Sequence, residues 1–130
     1  MNRPKVVAIV QARMSSERLP GKVLADLGGR PVLEWVTKRL AHARTVDEVL
    51  LATSADPSDD AIAAWCIEAG VRCFRGSLHD VLERFAEAAD HAEGGIVVRI
   101  TADCPLIDPE LVDSVVRHLL DRDLDYCGLG

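Results

Sequence analysis

No apolar run in the 130-residue chain approaches the ~20 residues that a membrane-spanning helix needs, so no membrane is expected among its partners. No small-residue cleavage site follows the opening Met1-Asn2-Arg3-Pro4-Lys5, so no signal peptide is read there and a cytoplasmic location is expected. The four cysteines, Cys66, Cys73, Cys104 and Cys127, contain no C-x-x-C pair and no His/Cys ligand spacing. Reduced thiols used for packing are expected, rather than a zinc site. An excess of positive charge is also absent. The net charge is −6, which argues against general binding to nucleic acid or to an anionic membrane. There is no repeat, no low-complexity segment, and no nucleophile–base signature of an activated Ser, Cys or His.

What is present is an alternation of strands and helices. The run VVAIV at 6–10 is rich in β-branched residues and predicts a strand buried on both faces. Further strands are expected at 46–53, 71–74 and 96–100, with another beginning near 124. Between them, Pro31 suits a first helical position, and Leu33, Val36 and Leu40 recur at helical spacing to about residue 43 or 44. A second helix reaches Ala69, with Ile62, Trp65, Cys66 and Ala69 as its inward stripe and Gly70 as its stop. Ser58 is read as its cap, with Asp59 and Asp60 in the first turn as solvated acids. A third helix starts near Leu78 and carries Val81, Leu82, Phe85 and Ala88 or Ala89. The last opens at Pro109, with Leu111, Val112, Val115, Val116 and Leu119 apolar. The fold class expected is α/β, a mainly parallel sheet flanked by helices, forming one domain over 1–130.

Against the acidic total, Arg13, Arg18 and Lys22 arrive within one loop directly after the first strand, with Ser15 and Ser16 between them and Pro20-Gly21 closing it. Burying unpaired cations is costly, so the loop is either a solvated basic turn or a site for a multiply charged anion such as a polyphosphate. Arg offers a planar fork to phosphate oxygens, Lys a point charge, and the serines neutral donors. In open α/β sheets, ligands bind beyond the carboxyl ends of the strands. That is where this loop falls, together with 53–57, 75–80 and 101–108, and the placement favours the anion. In the last of these loops Asp103 stands before Pro105. By itself it caps a turn or pairs with Arg99. Facing a triphosphate loop, it could hold Mg²⁺, which takes one or two carboxylates plus phosphate oxygens.

The string QARMSSERLPGK at 11–22 resembles the signature loop of the cytidylyltransferases that activate acidic sugars, and most of all the branch named for spore-coat polysaccharide biosynthesis protein F. The segment ITADCPLIDP at 100–109 resembles that family's second signature, whose aspartate binds the catalytic metal. FRGS at 74–77 with DVLER at 80–84 is similar to the segment enclosing the nucleotide base, and Ala52-Thr53-Ser54 to the loop beside it. The resemblance implies the nucleotide-diphospho-sugar transferase fold, CTP and a sugar acceptor as partners, and Mg²⁺ as cofactor. It also implies a set of site residues: Ala12, Arg13, Ser15, Arg18, Lys22, Ala52, Thr53, Arg75, Gly76 and Ser77 around the nucleotide, Asp103 on the metal, and Arg13, Lys22 and Asp103 as the catalytic groups. Members of the family usually continue for about another half-domain, which carries a further metal-binding aspartate, most of the sugar pocket and the homodimer contacts. The resemblance thus implies a chain shortened on its C-terminal side. Guanylyl and uridylyl transferases of the same fold typically begin with a glycine-rich loop, where this chain has Gln11-Ala12-Arg13.

Overall fold

The computed structural model describes residues 5–14, 22–77, 81–92, 95–101 and 109–121. Strand β1 (Val6–Gln11) is buried along its whole length. It lies between β4 (Glu48–Ser54) and β6 (Ile96–Thr101), and β5 (Arg72–Gly76) pairs on the far side of β4. All of these pairings are parallel, in the order β5-β4-β1-β6.

Burial of β1 on both faces follows from where the helices pack. Val6, Ala8 and Val10 point into a core with Leu33, Val36 and Leu40 of α1 (Val32–Ala41), Ile62 and Cys66 of α2 (Asp60–Ala69), and Val112 and Val116 of α4 (Pro109–Asp121). Val7 and Ile9 point the other way, onto Ala88 and Phe85 of α3 (Val81–Ala92). Alternate side chains of a strand face opposite sides, so a strand covered twice must be apolar at every position. The expected parallel sheet between helices is what forms.

Several local expectations are corrected. Gly28-Gly29 does more than turn the chain: both take positive φ, 63° and 92°, and join a two-residue hairpin of β2 (Asp26–Leu27) and β3 (Arg30–Pro31). Positive φ at both central positions is the demand of a tight hairpin turn. Pro31 pairs with Asp26 in that hairpin and is extended (ψ 148°), so it flanks α1 as its N-cap instead of opening it. The helix closes at Ala41, short of the expected end. Ala69 and Leu111 are exposed, outside the apolar stripes assigned to them. Gly70 does stop α2 in the left-handed conformation, φ 73°. Arg75 and Gly76 belong to β5 and are not loop residues, because Thr53 and Ser54 of β4 extend the ladder to meet them.

The described cysteines, Cys66 and Cys73, are free thiols. Their mutual hydrogen bond, with burial, pushes the Cys66 thiol up. Asp113 of α4 is buried and fixes the connection from α1 to β4, accepting from the backbone N–H of Arg44 (2.9 Å) and Thr45 (2.8 Å) and from the Thr45 hydroxyl. The strand expected near 124 lies outside the described residues.

Candidate functional site

From β1 the chain moves outward to β4 and β5, then returns to place β6 on the other side of β1. The order of strands reverses between β1 and β6, and the crevice outside the carboxyl ends of such a pair is where open α/β sheets take ligands. Gln11 and Thr101, the last residues of the two strands, are partners in the ladder. Arg13 follows one of them by two residues. Asp103 follows the other by two residues in sequence, and itself lies outside the described residues, as do Ser15 and Arg18. Of Lys22 the backbone is described, opening a short 3-10 turn, Lys22–Leu24, that leads toward α1.

The structure brings Ala12, Arg13, Ala52, Thr53, Gly76 and Ser77 to this same edge. The Ala12 N–H donates to the Ala52 carbonyl at 3.0 Å, carrying the β1–β4 ladder one step past the strand. Arg13 is half-buried. Thr53 is fully buried, and its hydroxyl has no partner among the described residues. Gly76 accepts from the Ala55 N–H at 2.9 Å, tying the end of β5 to the β4 loop.

Arg75 reaches the edge with its guanidinium occupied. Its Nε donates to the Ser54 carbonyl (2.8 Å), and Nη2 donates to the Asp56 carbonyl (2.9 Å) and to Asp60 Oδ1 (2.8 Å). Those bonds shape the β4 loop from the side of β5.

Two residues that the sequence reading passed over organise the edge. Asp59, expected as a solvated acid of a helix turn, is fully buried. The cap of the 3-10 turn Pro57–Asp59 is Asp56, which accepts from the Ser58 N–H at 2.9 Å and so leaves Asp59 free to turn inward. Asp59 Oδ1 accepts from the Met14 N–H at 2.7 Å, and Oδ2 accepts from the Ser54 hydroxyl. One acid among the three of the Asp-Pro-Ser-Asp-Asp string gives no sign of this, because Met14 is distant in sequence.

Arg84 is the second. It lies on α3 and is 2% exposed. Its Nη2 donates to Gln11 Oε1 (3.0 Å) and its Nη1 to the Ser77 carbonyl (2.8 Å). Burial, together with the nearby Arg13 charge, holds its pKa below the usual guanidinium value; Asp59 opposes the shift and Arg99 adds to it. A signal did exist, since Arg84 falls at helical spacing between Val81 and Ala88, inside the apolar stripe. Arg99, which extends from β6 over the Phe85 ring at 5.8 Å, completes a positive cluster on the α3 side of the sheet.

Among the described residues, no group of three acidic, histidine or cysteine side chains could by itself hold a metal ion, and no helix is long and apolar enough to cross a membrane.

Comparison with known proteins bears on this edge. A family model described as cytidylyltransferase matches residues 7–128. The spore coat polysaccharide biosynthesis protein SpsF of Bacillus subtilis is 38% identical over 125 residues, covering 93% of this chain and 52% of that protein. A cytidylyltransferase structure from Leptospira borgpetersenii superposes with a TM-score of 0.86 at 36% identity, covering 92% of this chain and 50% of that one. The structure of a CMP:2-keto-3-deoxy-manno-octonic acid synthetase complexed with CTP superposes with a TM-score of 0.77 at 29% identity, covering 92% and 48%. The chain thus spans about half the length of the curated relatives it matches.

Proposed function

The chain belongs to the cytidylyltransferase family, and from that premise we propose that it forms the nucleotide-binding part of an enzyme that transfers CMP from CTP to an acidic sugar. An acceptor oxygen attacks the α-phosphorus, the bond from that phosphorus to the bridging oxygen breaks, and pyrophosphate leaves. The observation that carries the reading is the switch point itself, where the paired ends Gln11 and Thr101 each lead within two residues to a group suited to one half of a metal–nucleotide complex.

In this reading Arg13, Arg18 and Lys22 neutralise the triphosphate, with Ser15 as a neutral donor and Ala12 holding the start of the loop to β4 through its bond to Ala52. Ala52, Thr53, Gly76 and Ser77 border the base. Arg75 serves the same rim indirectly, through the β4 loop it holds. Asp103 is the residue to hold Mg²⁺. One aspartate fits that ion, which is usually bound by one or two carboxylates with substrate phosphates supplying other ligands. Bound there, Mg²⁺ supplies charge stabilisation at the phosphate oxygens. The remaining work is positioning and electrostatics, which asks no nucleophile of the protein. The enzyme is proposed to be cytoplasmic, in keeping with the free thiols, and to act as a homodimer through the family's further contacts.

Pyrophosphate release with CTP, Mg²⁺ and a panel of acidic sugars tests the reading. Release that depends on one acidic sugar supports it. Tight CTP binding without turnover on any acceptor would instead identify a nucleotide-binding module, and equal stabilisation by all four ribonucleoside triphosphates would remove the cytosine preference. A ligand at a hundredfold its dissociation constant raises stability by about 2.7 kcal/mol, which a thermal scan resolves.

A further inference from the structure

Arg84 is the one buried arginine among the described residues, and what it touches is informative. Its two contacts lie on different strands' ends: Gln11 closes β1 immediately before Ala12 and Arg13, and Ser77 follows β5. One rigid guanidinium therefore spans two of the segments that border the crevice. Room for it is made by Gly76, where a Cβ would stand 3.2 Å from Arg84 Cγ and 3.1 Å from the Phe74 ring. The contact also fixes Gln11. With Oε1 taken by a charged donor, the amide orientation is set and Nε2 is left as a donor, without a partner among the described residues. Arg84 Nε is in the same position. Burying a charge without a tight carboxylate partner is costly.

We propose that Arg84 is a positioning residue of the nucleotide site, a two-pronged clamp that holds the segments after β1 and β5 in one preformed surface. The inference rests on the nucleotide-site reading above and deepens it. Without the clamp, each segment must be ordered when the ligand arrives, and the ordering is charged against affinity. The planar fork is essential, because lysine keeps the charge but presents no rigid pair of donors.

Two variants test this in the full chain: Arg84→Lys, which keeps the charge, and Gln11→Met, which removes the acceptor at similar volume. Each is expected to weaken CTP binding about tenfold, by titration calorimetry at a temperature where circular dichroism shows the variant folded. The double variant is expected to bind no more weakly than either single one, as for two residues acting as one unit. In Arg84→Lys, amide hydrogen exchange without nucleotide is expected to rise together at residues 12–14 and at Ser77. A lowered melting temperature with unchanged CTP affinity in the folded protein would reduce Arg84 to a structural role. Additive losses, or faster exchange at only one of the two segments in Arg84→Lys, would also overturn the clamp. If Arg84→Lys does not fold, Gln11→Met, which leaves the Arg84–Ser77 bond in place, carries the affinity readout and the exchange readout at residues 12–14, and unchanged affinity or unchanged exchange there overturns the clamp. A wild-type chain that binds no CTP would overturn the nucleotide site and this role within it, while the exchange measurement still decides whether the clamp exists.

Discussion

Asp59 Oδ1 accepts a 2.7 Å hydrogen bond from the Met14 N–H, so a buried acid on the turn after β4 fixes the start of the segment after β1. The same carboxylate takes the Ser54 hydroxyl on its other oxygen. The two segments are thereby joined through one side chain.

Asp59→Ala leaves the Met14 N–H and the Ser54 hydroxyl without this acceptor in a buried setting. Loss of a partner for a buried polar group costs about 1–3 kcal/mol. The urea midpoint is expected to fall accordingly, with the slope of the transition unchanged, and CTP affinity is expected to fall in the folded protein.

Gly76→Ala is expected to destabilise through crowding and not through backbone strain. Its Cβ would meet the Phe74 ring at 3.1 Å and Arg84 Cγ at 3.2 Å, and overpacking of this kind costs about 1–3 kcal/mol. Chemical denaturation measures the loss.

Asp113 gives the fold a defined response to acid. Burial would raise its pKa, but hydrogen bonds from the Thr45 side chain and backbone and from the Arg44 backbone, with the Arg117 charge, outweigh that and hold it below the ordinary carboxylate value. A carboxylate depressed in the folded state contributes stability above its unfolded pKa, about 3.9, and loses it as pH falls through the folded value. Asp113→Asn is therefore expected to be less stable than wild type at pH 7, with the difference shrinking below about pH 4. Urea midpoints across that range check it.

Lys22→Ala is expected to weaken CTP binding about tenfold while leaving the melting temperature within a degree or two, since a loop charge contributes little to stability. An unchanged affinity would remove Lys22 from the phosphate-binding set.

The parts of the fold legible in the sequence were those set by local pattern. The unbroken apolar run of β1 announced a strand covered twice, and Gly70 and Pro109 marked real helix ends. The loop edges were legible too, because strand–helix alternation forces them to one side. What stayed hidden depended on distant partners. Asp59 and Asp60 are neighbours of the same type, yet one is buried against Met14 and the other meets Arg75 at the surface. Arg84 was passed over because an arginine in a helix is normally solvated, and the Gln11 that accepts from it lies on the first strand. Arg75, expected beside the nucleotide, also holds the β4 loop with its guanidinium, a partnership the sequence does not show. Short strings identify a chemical type; only packing assigns its partner.

The account turns on a metal-bound nucleotide between the ends of β1 and β6, and calorimetric titration of CTP with and without Mg²⁺, in wild type and in Asp103→Asn, tests it most directly. Mg²⁺ is expected to strengthen CTP binding in wild type, and Asp103→Asn to abolish that gain while leaving the metal-free affinity unchanged. An equal gain from Mg²⁺ in both proteins would contradict the account.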